Sequence, residues 1–218
     1  MPTLLASLKS LFKPRPVKLT GAKLYASCVG QARLPAFYLD YGVEDAIGAR
    51  FELLALHVIM VVTRLKSLPA DDSRHEQALD TSQNLFDAFL LALDSALREQ
   101  GTGDLTVPKK MKRLGIIVYT RMKRWDDMWR DGAVLAEQAD YAARTIFAGS
   151  AYGDGEDDVD GKILQDDVSR RAHAFAVYVQ QAHDALDIDS LLRGDVAWPQ
   201  PAALETAPDS ADLMSVQA

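Results

Sequence analysis

Four histidines, one cysteine and an acid-rich stretch are the residues whose types could do chemistry. Their spacing decides whether they do. His57, His75, His173 and His183 form no HExxH pair and no other dense ligand spacing, so they predict no metal site. His57 falls inside the apolar run Phe51–Val62 and reads as a hydrogen-bonded structural histidine. Cys28 has no activating neighbour in sequence and reads as a small buried thiol. A lone thiol forms no internal disulfide, which fits a reducing compartment. Glu156, Asp158, Asp160, Gly161, Ile163 and Asp167 fall in the register of a calcium loop. Against that reading, its first ligand is Glu, its last is Asp, and Gly153 and Gly155 stand where an entering helix belongs. Residues 153–161 therefore read as a solvated acidic loop. Neither standard glycine-rich phosphate loop occurs. The pattern predicts a non-enzymatic protein with no cofactor and no metal.

The second kind of signal is charge. The net charge is −7, yet residues 109–130 carry eight basic residues against only Asp126 and Asp127. Lys109, Lys110, Lys112 and Arg113 crowd the start of a predicted helix, where the helix dipole already presents positive charge. A helix selected only for stability places acids there, so the lysines point to a partner that uses them. Just upstream, Asp94 precedes Arg98 by four residues, a favourable helical pair. Asp104 follows two glycines and is placed to meet free amides or a nearby arginine. Arg98, Asp104, Lys109, Lys110, Arg113, Tyr119 and Arg121 form the candidate partner-binding set. The same helix carries Met111, Met122, Trp125, Met128 and Trp129. Methionine adapts to varied apolar shapes, so these five are the candidate lining of a client groove. The plainer alternative is that they fill the core.

Positioning these groups requires helices. Apolar residues recur at three- and four-residue spacing over about 20–33, 45–66, 73–100, 107–130, 133–147 and 164–186, and no stretch alternates as a strand does. The expected fold is all-α, a single domain of about six to seven helices. Asp45 and Thr106 are expected N-caps, and Gly101 is the expected left-handed end of the fourth helix. Phe37, Tyr38 and Tyr41 read as an aromatic loop closed by Gly42. The domain is drawn at 19–193. Residues 1–18 form an arm in which Leu4, Leu5, Leu8, Leu11 and Phe12 make an apolar stripe flanked by lysines, suited to weak contact with anionic membrane. Residues 194–218 are poor in groups to bury and read as a disordered tail. No apolar run approaches the ~18–20 residues that span a bilayer.

The stretch from Leu97 to Arg121, LREQGTGDLTVPKKMKRLGIIVYTR, resembles the signature of the ubiquinol–cytochrome c chaperone family. Leu24–Tyr25, Ala32–Arg33, Phe37–Tyr38, the stretch Gly48–Leu53 and Leu56–His57 also match, so the similarity runs from about residue 20 to about 185. The family commonly has a phenylalanine-tyrosine-glycine-arginine run where Val118, Tyr119, Thr120 and Arg121 stand here. The tyrosine and arginine remain. The resemblance implies a chaperone that binds nascent cytochrome b during assembly of the ubiquinol–cytochrome c reductase complex. It also implies possible work with a ribosome or a second assembly factor. The short sequence ahead of residue 20 favours a bacterial member in the cytoplasm, peripheral to the inner membrane, with the matrix side of the mitochondrial inner membrane as the alternative.

Two other readings stand beside it. A lipid- or quinone-handling enzyme on a helical scaffold requires a closed pocket that brings His57 and Asp104 together. A nucleic-acid binder is supported by the basic helix and opposed by the acidic remainder.

Overall fold

The run Phe51–Val62 lies within a helix, Ile47–Lys66, that buries every phase of its circumference from Phe51 to Thr63 except at Leu54. Such burial follows from its composition, because a helix apolar all round has no face to give to water. The computed structural model describes residues 16–148 and 166–202. In chain order its helices are α1 (Pro16–Ala32), α2 (Pro35–Leu39), α3 (Ile47–Lys66), α4 (His75–Glu99), α5 (Val107–Arg130) and α6 (Leu135–Ala142). Helix α6 continues as a π-helical turn (Ala143–Phe147), and α7 (Asp166–Asp184) and α8 (Ile188–Arg193) complete the order. No strand occurs among the described residues, so the chain is all-α as its periodicity predicted. The apolar arm, the acidic loop and residues 203–218 lie outside the described residues.

Helix α3 is the axis on which α1, α4, α5, the π turn, α7 and α8 pack. Helices α1 and α4 approach closely at Gly21, where a Cβ atom would come within 2.7 Å of the Asn84 backbone. Helix α5 packs mainly on α3 and α4, which leaves its far side in water. Gly101 takes φ +78° and ends α4 in a Schellman turn, with Thr102 N–H donating to Leu97 O at 3.1 Å and Gly101 N–H to Arg98 O at 2.9 Å.

Several local expectations are corrected. Pro16 opens α1 within the span drawn as the arm, because a first-turn proline has no N–H to satisfy. The domain therefore starts earlier than residue 19. The aromatic segment is the short helix α2, with Phe37 buried, rather than a loop. Thr106 takes the N-cap position of α5, as expected, but its side chain accepts no cap hydrogen bond, and the N-cap of α3 is Ala46 rather than Asp45. Asp45 pairs with Arg50 instead, and Thr106 sits in a helical turn that runs directly into α5. Helix α8 was missed, although Asp187 caps it by accepting from Ser190 N–H at 2.9 Å and Gly194 ends it.

The tail boundary at 194 is also too early. Trp198 sets its ring edge-on to His57, with centroids 5.1 Å apart, and its Nε1–H donates to Ser27 Oγ at 3.0 Å. Gln31 Nε2 donates to Pro199 O at 3.0 Å. One large aromatic ring with a donor is enough to seat an otherwise polar segment.

Beneath this strap runs a closed polar chain. His57 is fully buried; its Nδ1–H donates to Leu53 O at 2.7 Å, so Nε2 accepts from the Tyr178 hydroxyl, also at 2.7 Å. The Tyr178 oxygen in turn accepts from Gln31 Nε2 at 3.0 Å. Burial pushes the imidazole down to about 4, against the opposing pull of the Leu53 carbonyl. Cys28 is likewise fully buried, and burial pushes its thiol up.

A second buried polar contact joins α3 to α5. Glu52 is 3% exposed and receives Arg121, whose Nε lies 3.2 and 3.1 Å from the two carboxylate oxygens and whose Nη2 lies 3.0 Å from Oε1. Arg121 Nη1 reaches the Tyr141 hydroxyl at 3.5 Å. Burial raises the Glu52 carboxyl more than the guanidinium lowers it, whereas burial of Arg121 is outweighed by hydrogen bonds and charge from Glu52, which hold it up. The two shifts pull opposite ways on the pair. The forked geometry decides for the ionised form, because it satisfies both carboxylate oxygens.

Two outcomes follow from these contacts. A histidine near 6.5 when unfolded and near 4 when folded makes stability fall as pH drops from about 6.5 towards 4, by about 3 kcal/mol in total. Urea midpoints at pH 7, 5.5 and 4.5 check this. Arg121→Met leaves Glu52 buried and unpaired and costs about 3–5 kcal/mol, whereas the double variant Glu52→Leu, Arg121→Met recovers most of that loss. The deficit of the single variant shrinks as pH falls, since a protonated carboxyl is easier to bury. Equilibrium unfolding at two pH values measures both effects.

Candidate functional site

Because Arg121 must face α3, the phase of α5 is set along its whole length. Residues Leu114, Val118, Trp125 and Met128 turn inward with it and are buried. Residues at three- and four-residue spacing on the opposite side, Lys109, Lys112, Arg113, Ile116, Thr120, Lys123 and Arg124, turn outward and are exposed. Lys110 is half-buried, and Tyr119 is 70% exposed.

The partner-binding set therefore separates into three groups. Lys109, Lys110, Arg113 and Tyr119 share the outer part of α5. Arg98 and Asp104 form a clip across the α4–α5 turn: Arg98 Nε lies 2.6 Å from Asp94 Oδ2, and its Nη1 lies 2.5 Å from Asp104 Oδ1. Asp104 thus meets an arginine, as one of its two predicted roles had it, and remains in solvent. Arg121 does not belong to the outer surface. Its guanidinium is engaged by Glu52 and Tyr141 inside the fold.

The proposed groove lining divides in the same way. Trp125 and Met128 are 2% and 3% exposed and fill the core. Trp125 stacks on Trp129 with centroids 5.4 Å apart and meets the edge of Tyr141 at 5.3 Å. Met111, Met122 and Trp129 are partly buried against that core. Met122 and Trp129 do border a cleft, which lies between the C-terminal end of α3 and the C-terminal half of α5. One part, about 500 Å³, is lined by Thr63, Lys66 and Ser67 from α3 and its end, and by Tyr119, Met122, Lys123, Asp126 and Arg130 from α5. A second part, about 420 Å³, shares Thr63, Ser67, Asp126 and Arg130 with the first and reaches Arg64, Trp129, His183 and Asp184. The indole of Trp129 stacks on His183 with centroids 4.5 Å apart, and its Nε1–H finds no hydrogen-bond partner among the described residues.

Sequence reasoning missed the α3 wall of the cleft and His183, because they come from chain segments distant from α5. Glu52 was legible as a carboxylate interrupting an apolar run, but its partner was not. Electrostatically the cleft is mixed: Arg130 is shared by Asp126 at 3.5 Å and by Asp127, while Lys66 and Lys123 stand exposed at the other end. Among the described residues no group of three or more His, Cys, Asp and Glu is placed to hold a metal. The closed pocket uniting His57 and Asp104 that the enzyme reading requires is not formed. His57 is sealed in the core, and the Asp104 side chain is 88% exposed. Among the described residues no helix is long and apolar enough to cross a membrane.

Comparison with known proteins agrees with this architecture. A crystal structure of the Cbp3 homolog from Brucella abortus superposes with a TM-score of 0.66 at 23% sequence identity, covering 91% of this chain and 97% of that one; this shows a shared fold. No curated protein sequence matches the chain. The family model described as ubiquinol-cytochrome C chaperone matches residues 39–198, a span that takes in α3, the Glu52–Arg121 pair, the cleft and the Trp198 strap. With well over half of its length matched, the chain belongs to the ubiquinol–cytochrome c chaperone family.

Proposed function

We propose that this protein binds newly made cytochrome b and promotes its assembly into the ubiquinol–cytochrome c reductase complex. The family match over residues 39–198 carries the reading. The cleft between α3 and α5 supports it physically. A client made of apolar helices joined by polar loops needs a site with apolar contact in the middle and charge at the edges. Met122 and Trp129 supply the first, with Tyr119 at the rim, and Lys66, Lys123, Asp126, Arg130 and Asp184 supply charges of both signs. Methionine and exposed aromatic rings tolerate varied partners, which suits a chaperone that must also let go. On this reading a ribosome or a second assembly factor is a further partner. Its place of work is the inner membrane, at the face from which cytochrome b is inserted.

Two variants address the lining of the cleft. Ser67→Trp fills it from the α3 wall, and Met122→Gln removes its apolar floor. Both are expected to fold with unchanged helicity and to capture several-fold less radiolabelled, newly made cytochrome b than the parent. In a deletion strain the assembled complex, read by native electrophoresis and haem b absorbance, is expected to fall. Parental capture by both variants moves the client site elsewhere. A normal level of complex in the deletion strain overturns the function.

A further inference from the structure

Beyond the cleft, α5 presents a second surface. From Leu105 to Trp125 the sequence contains no acidic residue, while it holds seven basic ones. Arg121 alone among these turns inward to Glu52. Lys109, Lys112, Arg113, Lys123 and Arg124 are exposed. Large apolar groups stand among them in water: Leu105 is 98% exposed just ahead of the first turn, Ile116 59% and Tyr119 70%. The chain outside residues 109–130 is strongly acidic, so the charge is divided between this face and the remainder.

We propose that the outer face of α5 is a docking surface for an anionic lipid bilayer. The helix would lie in the plane of the headgroups, with Ile116 and Tyr119 entering the acyl boundary and the lysines and arginines meeting phosphates on either side. Charge complementarity gives the attraction, and each basic residue near an anionic surface adds to it. The exposed apolar groups decide between a bilayer and other polyanions. A nucleic-acid backbone rewards cations and stacking rings, but it offers nothing that repays an exposed Leu105 or Ile116. A bilayer interface takes up both kinds of group at once. The acids lie in residues 40–104 and from Asp126 onward, and those stretches are repelled by the same surface. Tyr119 and Lys123 belong both to this face and to the rim of the cleft, so docking holds the cleft's mouth beside the membrane.

The test is co-sedimentation of the full chain with vesicles of phosphatidylcholine alone or of phosphatidylcholine with phosphatidylglycerol. Binding is expected only to the anionic vesicles, and it weakens with salt. The triple variant Lys109→Glu, Lys112→Glu, Lys123→Glu is expected to lower the partition coefficient on the order of a hundredfold. The pair Leu105→Ser, Ile116→Ser is expected to lower it by about tenfold with charge unchanged. All five residues are exposed, so circular dichroism should report the parental fold; if the Glu variant fails to fold, the Lys→Gln triple variant replaces it. Two results overturn the proposal. In one, the triple variant binds anionic vesicles as the parent does while removal of residues 1–15 abolishes binding, which assigns membrane contact to the arm. In the other, the Leu105, Ile116 pair has no effect on vesicles while the lysine reversal abolishes binding to polyuridylate, which makes the face a nucleic-acid surface. Neither readout involves cytochrome b, so this inference fails or stands apart from the client reading.

Discussion

A carboxylate inside an apolar helix must be answered by a cation, and much of this molecule is arranged around that requirement. Glu52 lies on α3 where the helix is surrounded, and an ion of its kind left unpaired there costs several kcal/mol even after relaxation. Arg121 answers it from α5 with a fork that fits both oxygens. The consequence is geometric as well as energetic. A helix rotates by about 100° per residue, so fixing one inward side chain fixes the direction of all the others. Leu114, Val118, Trp125 and Met128 are carried into the core, and the lysines are carried to the opposite side. An apolar pair of similar size would hold α5 to α3 at least as firmly, but it would tolerate small rotations. The ion pair specifies one.

Much of the fold was legible because helical periodicity is a strong signal over long segments. Helices α3, α4 and α5 and the buried His57 and Cys28 follow from spacing alone. What was not legible is instructive. Pro16 and Pro35 look like stops in a one-dimensional reading, yet each opens a helix, since a proline is as acceptable in a first turn as it is harmful in a middle one. Asp45 has the right type for a cap but pairs with Arg50, and Thr106 takes the cap position without a side-chain hydrogen bond. Trp198 lies in a segment whose average composition resembles a disordered tail, and averages hide a single ring that packs on His57.

The candidate site was legible in part, for a related reason. Charge placement located the outer face of α5, because exposed charge needs no partner within the chain to be recognised. The methionines and tryptophans could not be sorted by type. Met128 and Met122 are six residues apart on one helix, and only the phase imposed by Arg121 puts the first in the core and the second at a cleft. The opposite wall, Thr63, Lys66 and Ser67, is contributed by the end of α3, and no local pattern in α5 announces it. Arg121 itself was grouped with the partner-binding residues because an arginine in a basic segment looks like its neighbours until its carboxylate is found.

The division between inside and outside then bears on how a protein of this kind works. Its buried polar groups are arranged to be inert: His57 is held neutral with both ring nitrogens engaged, and Cys28 is held as a thiol. Among the described residues several unfavourable placements lie at or near the surface: lysines oppose the dipole of their own helix, large apolar groups stand in water and Trp129 keeps a buried donor unsatisfied beside a cleft. Each of these lowers the stability of the free protein, and each would be relieved by contact with something that is apolar, anionic or both. A nascent membrane protein emerging at a bilayer presents such surroundings. On the client reading proposed above, a chaperone that is somewhat frustrated when alone gains from its client without needing a perfectly complementary pocket, and release follows when a better-packed partner covers the same apolar surface.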